Sequence, residues 1–182
     1  MKKLSFLAFM LISQLAFAQK YFTREGHVSF FSKTDVEDID AHNYKASTVL
    51  DMGTGAVEVA ILLKAFEFKK ALMQEHFNEN YVESDKYPKA VLKAKVAGFD
   101  AGQLGKNGNH PVTVIGDFNL HGVNKPVNIP ATIEVKDGKL MVNAILMVKP
   151  ADYNITIPKV VENNISKEIK VTVQLTLEEL KR

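Results

Sequence analysis

The chain has 182 residues, of which 46% are hydrophobic, 24% charged and 9% aromatic, and it contains no cysteine. Such a composition excludes collagen-like, low-complexity and largely disordered chains. The missing cysteine excludes disulfides, thiolate metal sites, iron–sulfur clusters, a cysteine nucleophile and a lipid anchor on an N-terminal cysteine. A formal charge of +2 is too small to point to nucleic acid.

The first residues read MKKLSFLAFMLISQLAFAQK. A basic start at Lys2 and Lys3, an apolar run from Leu4 to Leu15, and small Ala16 and Ala18 flanking Phe17 have the layout of a cleavable secretory signal, cut after Ala18. The run is interrupted by Ser5, Ser13 and Gln14, and it is shorter than the roughly 20 apolar residues of a spanning helix. Cleavage removes two of the 23 basic residues and no acidic one, leaving 21 against 21. The expectation is a neutral mature protein, periplasmic or secreted, forming one domain over residues 19–182 and held by its core alone.

From Gln19 onwards the dominant period is two. Phe22 to Lys33 carries Val28 and Phe30; Asn43 to Leu50 carries Tyr44, Ala46 and Leu50; Ala56 to Lys64 carries Val57, Val59, Ile61 and Leu63. After Asp51-Met52-Gly53-Thr54-Gly55 and that third run, Lys69 to Asn78 changes period to about 3.6, with Leu72, Met73 and Phe77 on one side, and predicts a short helix. Tyr87-Pro88 restarts extended chain. Ala90, Leu92, Ala94 and Val96 then alternate with lysines 89, 93 and 95, which read as a solvated outer face.

Beyond the Gly/Asn-rich stretch from Gly98 to Pro111, Val112, Val114, Gly116, Phe118 and Leu120 share one face. Val127, Ile129, Ala131, Ile133 and Val135 follow after a break around His121-Gly122. Asp137-Gly138 marks a two-residue hairpin into Val142, Ala144, Leu146 and Val148. The last run sets Ile169, Val171, Val173, Leu175 and Leu177 against polar neighbours. Alternation of this kind belongs to antiparallel strands dry on one side and wet on the other. About eight such strands form a sandwich or a closed barrel, and closure removes exposed edges. The small inward residues Ala46, Ala90, Ala94, Gly116, Ala131 and Ala144 either leave volume for a slender ligand or simply oppose Phe30, Phe118 and Tyr44.

Three stretches then stand out: FNENYVESDKYPKAVLKA from Phe77, VIGDFNLHGVNKPVNIPATI from Val114 and VKPADYNITIP from Val148, followed by ISKEIKVTVQL. Together they resemble the YceI-like family, in order and over nearly the whole mature chain. The resemblance implies an all-β, lipocalin-like antiparallel barrel of about eight strands with one short helix. It also implies export to the periplasm and an isoprenoid lipid, such as a polyprenol or quinone tail, held inside the barrel. The motif positions Tyr87, Pro88, Gly116, Gly122, Lys125, Pro126, Asp152 and Tyr153 read as mostly architectural. A short acidic connection, Thr34 to Asn43, departs from the family pattern and leaves tunnel depth and ligand length open.

The expected ligand-binding lining is Val28, Phe30, Tyr44, Val57, Val59, Ile61, Leu72, Phe77, Leu92, Val114, Phe118, Ile129, Ala131, Ala144, Leu146, Val171 and Val173. No cofactor, metal or catalytic set is expected. His27, His42, His76, His110 and His121 lack paired metal spacing, and the acidic run Asp35, Glu37, Asp38, Asp40 lacks the glycine and closing Glu of a calcium loop. No Gly-x-Ser-x-Gly occurs. The leading expectation is a non-catalytic carrier or store of a long-chain isoprenoid, with transient membrane contact compatible and nucleic acid excluded as a partner. The oligomeric state stays open, a homodimer included. The rival readings are an enzyme or accessory acting on membrane lipids or quinones, and a stress-related structural domain with a filled core.

Overall fold

The computed structural model describes residues 19–181; the expected signal peptide lies outside them. Its strands are β1 (Lys20–Lys33), β2 (Asp38–Asp51), β3 (Ala56–Leu62), β4 (Glu67–Phe68), β5 (Lys89–Val96), β6 (Gly108–Leu120), β7 (Val123–Lys136), β8 (Lys139–Val148) and β9 (Ile169–Glu179). Neighbours run in the order β1-β9-β8-β7-β6-β5-β3-β2, and β1 pairs with β2 to close the ring. Eight antiparallel strands thus form a closed barrel, with β4 a short addition to β2. The expected helix is present as α1 (Ala71–His76), continuing into a wider turn over Phe77–Tyr81. A second helix, α2 (Ala101–Leu104), capped by the Asp100 side chain on Gly102 N–H, sits in the Gly/Asn-rich stretch where none was expected.

Two tight hairpins fix the register of the barrel wall. Asp137 and Gly138 have φ of +51° and +77°, the conformation in which a two-residue turn matches the twist of its flanking strands. His121 and Gly122, with φ of +53° and +76°, make the same turn between β6 and β7. The acidic connection is shorter than the sequence suggested: β2 begins at Asp38, leaving Thr34–Glu37 as a turn closed by the Thr34 hydroxyl.

A β-bulge explains one reversal of face. Gly26 pairs with Ala46 and Val28 with Asn43, so β2 spends one residue more than β1 over this interval. The extra residue switches the inward phase from Ile39, Ala41 and Asn43 to Ala46, Thr48 and Leu50. Tyr44, expected inside, is therefore turned outward, 51% exposed and stacked on His27 at 4.6 Å.

The barrel interior divides into two halves. At the end carrying the Asp137-Gly138 hairpin, Tyr21, Leu50, Met52, Val96, Leu104, Ile133, Val135, Leu140, Leu175 and Leu177 form a dense cluster. Leu140 and Leu177 are at most 1% exposed there. The other half gathers Val28, Ile61, Leu63, Phe66, Val82, Phe118, Tyr153 and Ile155 with their neighbours. Val57 and Val173 pack against both clusters and mark the waist between them.

The small residues at this waist do not widen it. A Cβ at Gly116 would overlap the Lys93 carbonyl and Ala94, and one at Gly26 would overlap a Leu175 methyl. Close backbone approach, rather than spare volume, is what these positions provide. On the wall, β7 pairs with β6 along its whole length but with β8 only over Ala131–Lys136. The register set by the Lys136–Lys139 closing pair turns Pro126 and Pro130 toward the resulting gap, where two missing N–H donors blunt the open edge.

Candidate functional site

The second half of the interior holds a cavity of about 400 Å³. Its floor and walls are the inward residues of the strand ends: Val28 and Phe30 from β1, Ile61 from β3, Ala90 from β5, Phe118 and Leu120 from β6, Val148 from β8, and Ile169 and Val171 from β9. One wall is aromatic. Phe30, Phe66, Phe68 and Phe77 stand with ring centroids 5.1–5.7 Å apart, mostly tilted or edge-on, the arrangement aromatic rings prefer. These contacts hold α1 and its following turn across the barrel end, so Leu72, Met73 and Phe77 face the cavity.

Polar groups are few: Ser32, Glu37, Lys70, His76, Tyr81 and Asn164. Glu37 accepts a hydrogen bond from Lys70 Nζ at 2.8 Å and a longer one from Asn164 Nδ2 at 3.3 Å. One carboxylate thereby joins the β1–β2 turn, the start of α1 and the loop before β9. Those bonds, Lys70 first, hold its carboxyl below the usual range. Nearby, the buried Ser32 hydroxyl accepts from Ser166 N–H at 2.8 Å, tying the same loop to β1. His76 completes the rim. Among the lining residues, Tyr81 carries the only phenol, and burial raises its pKa.

The same barrel end is fastened by a second set of contacts. His121 Nδ1 donates to the Tyr153 carbonyl at 3.0 Å, and its Nε2 meets the Glu83 carboxylate at 2.6 Å. The Tyr87 ring packs edge-on against His121 at 4.6 Å and leaves room at Gly122 for nothing larger than hydrogen. Glu83, His121 and Asn154 all adopt left-handed backbone conformations here, each costing on the order of 1 kcal/mol that the surrounding bonds offset. Tyr87, Gly122 and Tyr153 thus act as architecture, joining the segment after α1 to the β6–β7 hairpin and the turn after β8.

Seven of the residues expected to line the ligand space border the cavity: Val28, Phe30, Ile61, Leu72, Phe77, Phe118 and Val171. Val57, Val59, Leu92, Val114, Ile129, Ala131, Ala144, Leu146 and Val173 lie on the expected inward face but do not border the cavity. Val57 and Val173 pack at the waist, Val59, Leu92 and Leu146 pack into the surrounding cluster, and Ala131 and Ala144 line a recess at the β7–β8 gap. Tyr44 is outside altogether. The sequence reading missed Leu63, Phe66, Phe68, Val82, Ile155, Ile157 and Ile165. Phe66/Phe68 and Ile155/Ile157 carried a short alternation that marks them in retrospect; Val82 and Ile165 lie in irregular chain with no such signal.

Outside the cavity, His27 and His42 meet across β1 and β2, with Nε2 and Nδ1 3.0 Å apart, and Asp40 accepts from the other nitrogen of His42. No three His, Cys, Asp or Glu side chains gather to hold a metal among the described residues. No helix among them is long and apolar enough to cross a membrane.

No curated protein shows significant sequence similarity to the chain. Solved structures do share its fold. A polyisoprenoid binding domain from Saccharophagus degradans, implicated in plant cell wall breakdown, superposes with a TM-score of 0.77 at 17% identity, covering 90% of this chain and 99% of its own. BcnA from Burkholderia cenocepacia gives 0.69 at 18% identity, covering 83% and 95%. A YceI protein from Campylobacter jejuni gives 0.57 at 16%, covering 76% and 81%. The model of the YceI-like domain matches residues 12–177, nearly the whole chain, and the protein belongs to that family.

Proposed function

We propose that the protein is a non-catalytic, exported carrier or store of an isoprenoid lipid, periplasmic where the host has a periplasm. The observation that carries this reading is the cavity itself: about 400 Å³, lined predominantly by apolar side chains, with Glu37 and Lys70 paired to each other among the few polar ones. A prenyl chain needs no hydrogen bond to bind such a space, because each buried CH₂ contributes roughly 0.8 kcal/mol. The polar rim suits a headgroup left at the entrance. The likeness to a domain described as polyisoprenoid binding supports the same ligand class. The segments meeting at the mouth also carry Val36, Leu72 and Val160, exposed by 63%, 61% and 91%, which supports brief contact with a membrane during loading.

The test is native mass spectrometry with lipid extraction on the chain from Gln19 onwards, purified from a host that makes prenyl lipids. A co-purifying prenyl lipid is expected. Protein that is folded and consistently free of lipid, and that takes up none when prenyl alcohols are added, contradicts the reading.

A further inference from the structure

The cavity has a floor, and its depth says how much of a chain it takes. Going down the barrel, the cavity reaches Val28 on β1, Ile61 on β3, Phe118 on β6 and Val171 on β9. The next inward residues on those strands, Gly26, Val59, Gly116 and Val173, no longer border it. Beneath them lies the packed half, where Leu50, Leu140 and Leu177 are at most 2% exposed. The interior is a blind pit and does not run through the barrel.

We propose that this pit acts as a length gauge that grips about three isoprene units of a prenyl chain, entering with the end remote from the headgroup. The inference rests on the isoprenoid-binding reading and adds the length and orientation of the bound chain. An apolar protein cavity of about 150 Å³ takes up benzene with its six carbons, so by the same measure 400 Å³ accommodates on the order of sixteen carbons. That corresponds to about three five-carbon units. Beyond Glu37, Lys70, His76 and Asn164 the only polar side chains lining the space are Tyr81 and Ser32, the latter already bonded to Ser166 N–H. A phosphate or quinone ring driven into the pit would therefore lose its hydration with little to replace it. The headgroup stays at the mouth beside Glu37, Lys70, His76 and Asn164 for a short ligand. For a longer one, the surplus chain stays outside.

Ala90 sets the bound length. It is 3% exposed, faces the pit from β5 opposite Ile61, and is the smallest side chain that borders the space. Enlarging it should shorten the gauge without disturbing the packed half.

The experiment measures affinities of prenyl alcohols of two, three, four and five isoprene units, by displacement of a fluorescent farnesyl probe from the chain starting at Gln19. The expected profile rises by about tenfold or more from two units to three, as five more carbons are buried, and changes by less than about threefold beyond. In Ala90→Leu the plateau should begin at two units, with the melting transition checking that the variant is folded. As a second variant, Leu177→Met keeps the volume, lies in the packed half away from the pit, and should keep the plateau at three units. Affinity that climbs by similar steps through five units overturns the gauge while leaving isoprenoid binding intact. An Ala90→Leu plateau unmoved from three units also overturns it. Failure of every alcohol and of the probe itself would instead remove the isoprenoid reading on which the gauge rests.

Discussion

The two ends of the barrel are built from the same eight strands with the same alternation, yet one end is solid and the other hollow. At the solid end the inward residues are Leu, Val and Ile133, closed over by Tyr21, Met52 and Leu104, so side chains from opposite walls meet. At the hollow end the walls are capped instead by α1, the turn after β8 and the loop before β9, which arch over the opening and do not fill it. The difference teaches that an inward strand position is only half of an address. What stands above or below it decides whether it is core or lining.

The comparison breaks most sharply at Leu140, which is fully buried at the solid end. Leu140→Ala should cost about 2–5 kcal/mol in denaturant unfolding, with prenyl affinity of the folded fraction unchanged. A large loss of affinity in the folded fraction would mean the two halves are not separate. At the hollow end, Ala90→Phe should lower prenyl affinity by at least about tenfold, equivalent to displacing two buried methylenes. Its stability should shift by less than about 1 kcal/mol, since the ring enters empty space; calorimetry beside a thermal melt reads both.

Smaller effects sharpen the picture of how the hollow end is held. His121→Ala removes the link between Glu83 and the Tyr153 carbonyl and should destabilise by about 1 kcal/mol, measurable as a lower unfolding midpoint. The mildest change is at Glu37. Because Lys70 and Asn164 depress its pKa, the contact favours the ionised form: it is fully present above the ordinary carboxylate range and is lost as pH falls through the depressed value. Ligand release followed by stopped flow should accelerate by about two- to fivefold in acid. Glu37→Gln should show the faster rate at neutral pH and lose the acid step.

Much of the wall was legible in the sequence. Ile169 to Leu177 alternates without interruption, and Val112 to Leu120 does so apart from Ile115, which lies exposed on the outer face. The barrel places the other apolar residues of both runs inward as the period requires. Asp137-Gly138 announced its hairpin because few residue pairs accept two positive φ angles. Tyr44 was misread because a bulge consumes one residue with no local signature, and everything beyond it changes face. Depth was not legible at all. Ala131 and Ala144 look like space makers for the interior in a list of inward residues, whereas they sit where β7 and β8 part and line a recess in the wall, away from the cavity. The lining contributed by Val82 and Ile165 comes from irregular segments, whose positions follow from tertiary contacts such as Ser32 to Ser166 and not from any periodicity.

The division into a filled and a hollow half is tested most directly by methyl-resolved NMR of the protein titrated with a three-unit prenyl alcohol. Ile39, Ile61, Leu63 and Val171, which border the cavity, should shift and saturate together, while Leu50, Leu140, Leu175 and Leu177 stay where they are. Shifts of equal size at Leu140 and Leu177, or none at Ile61 and Val171 at saturating alcohol, would contradict it.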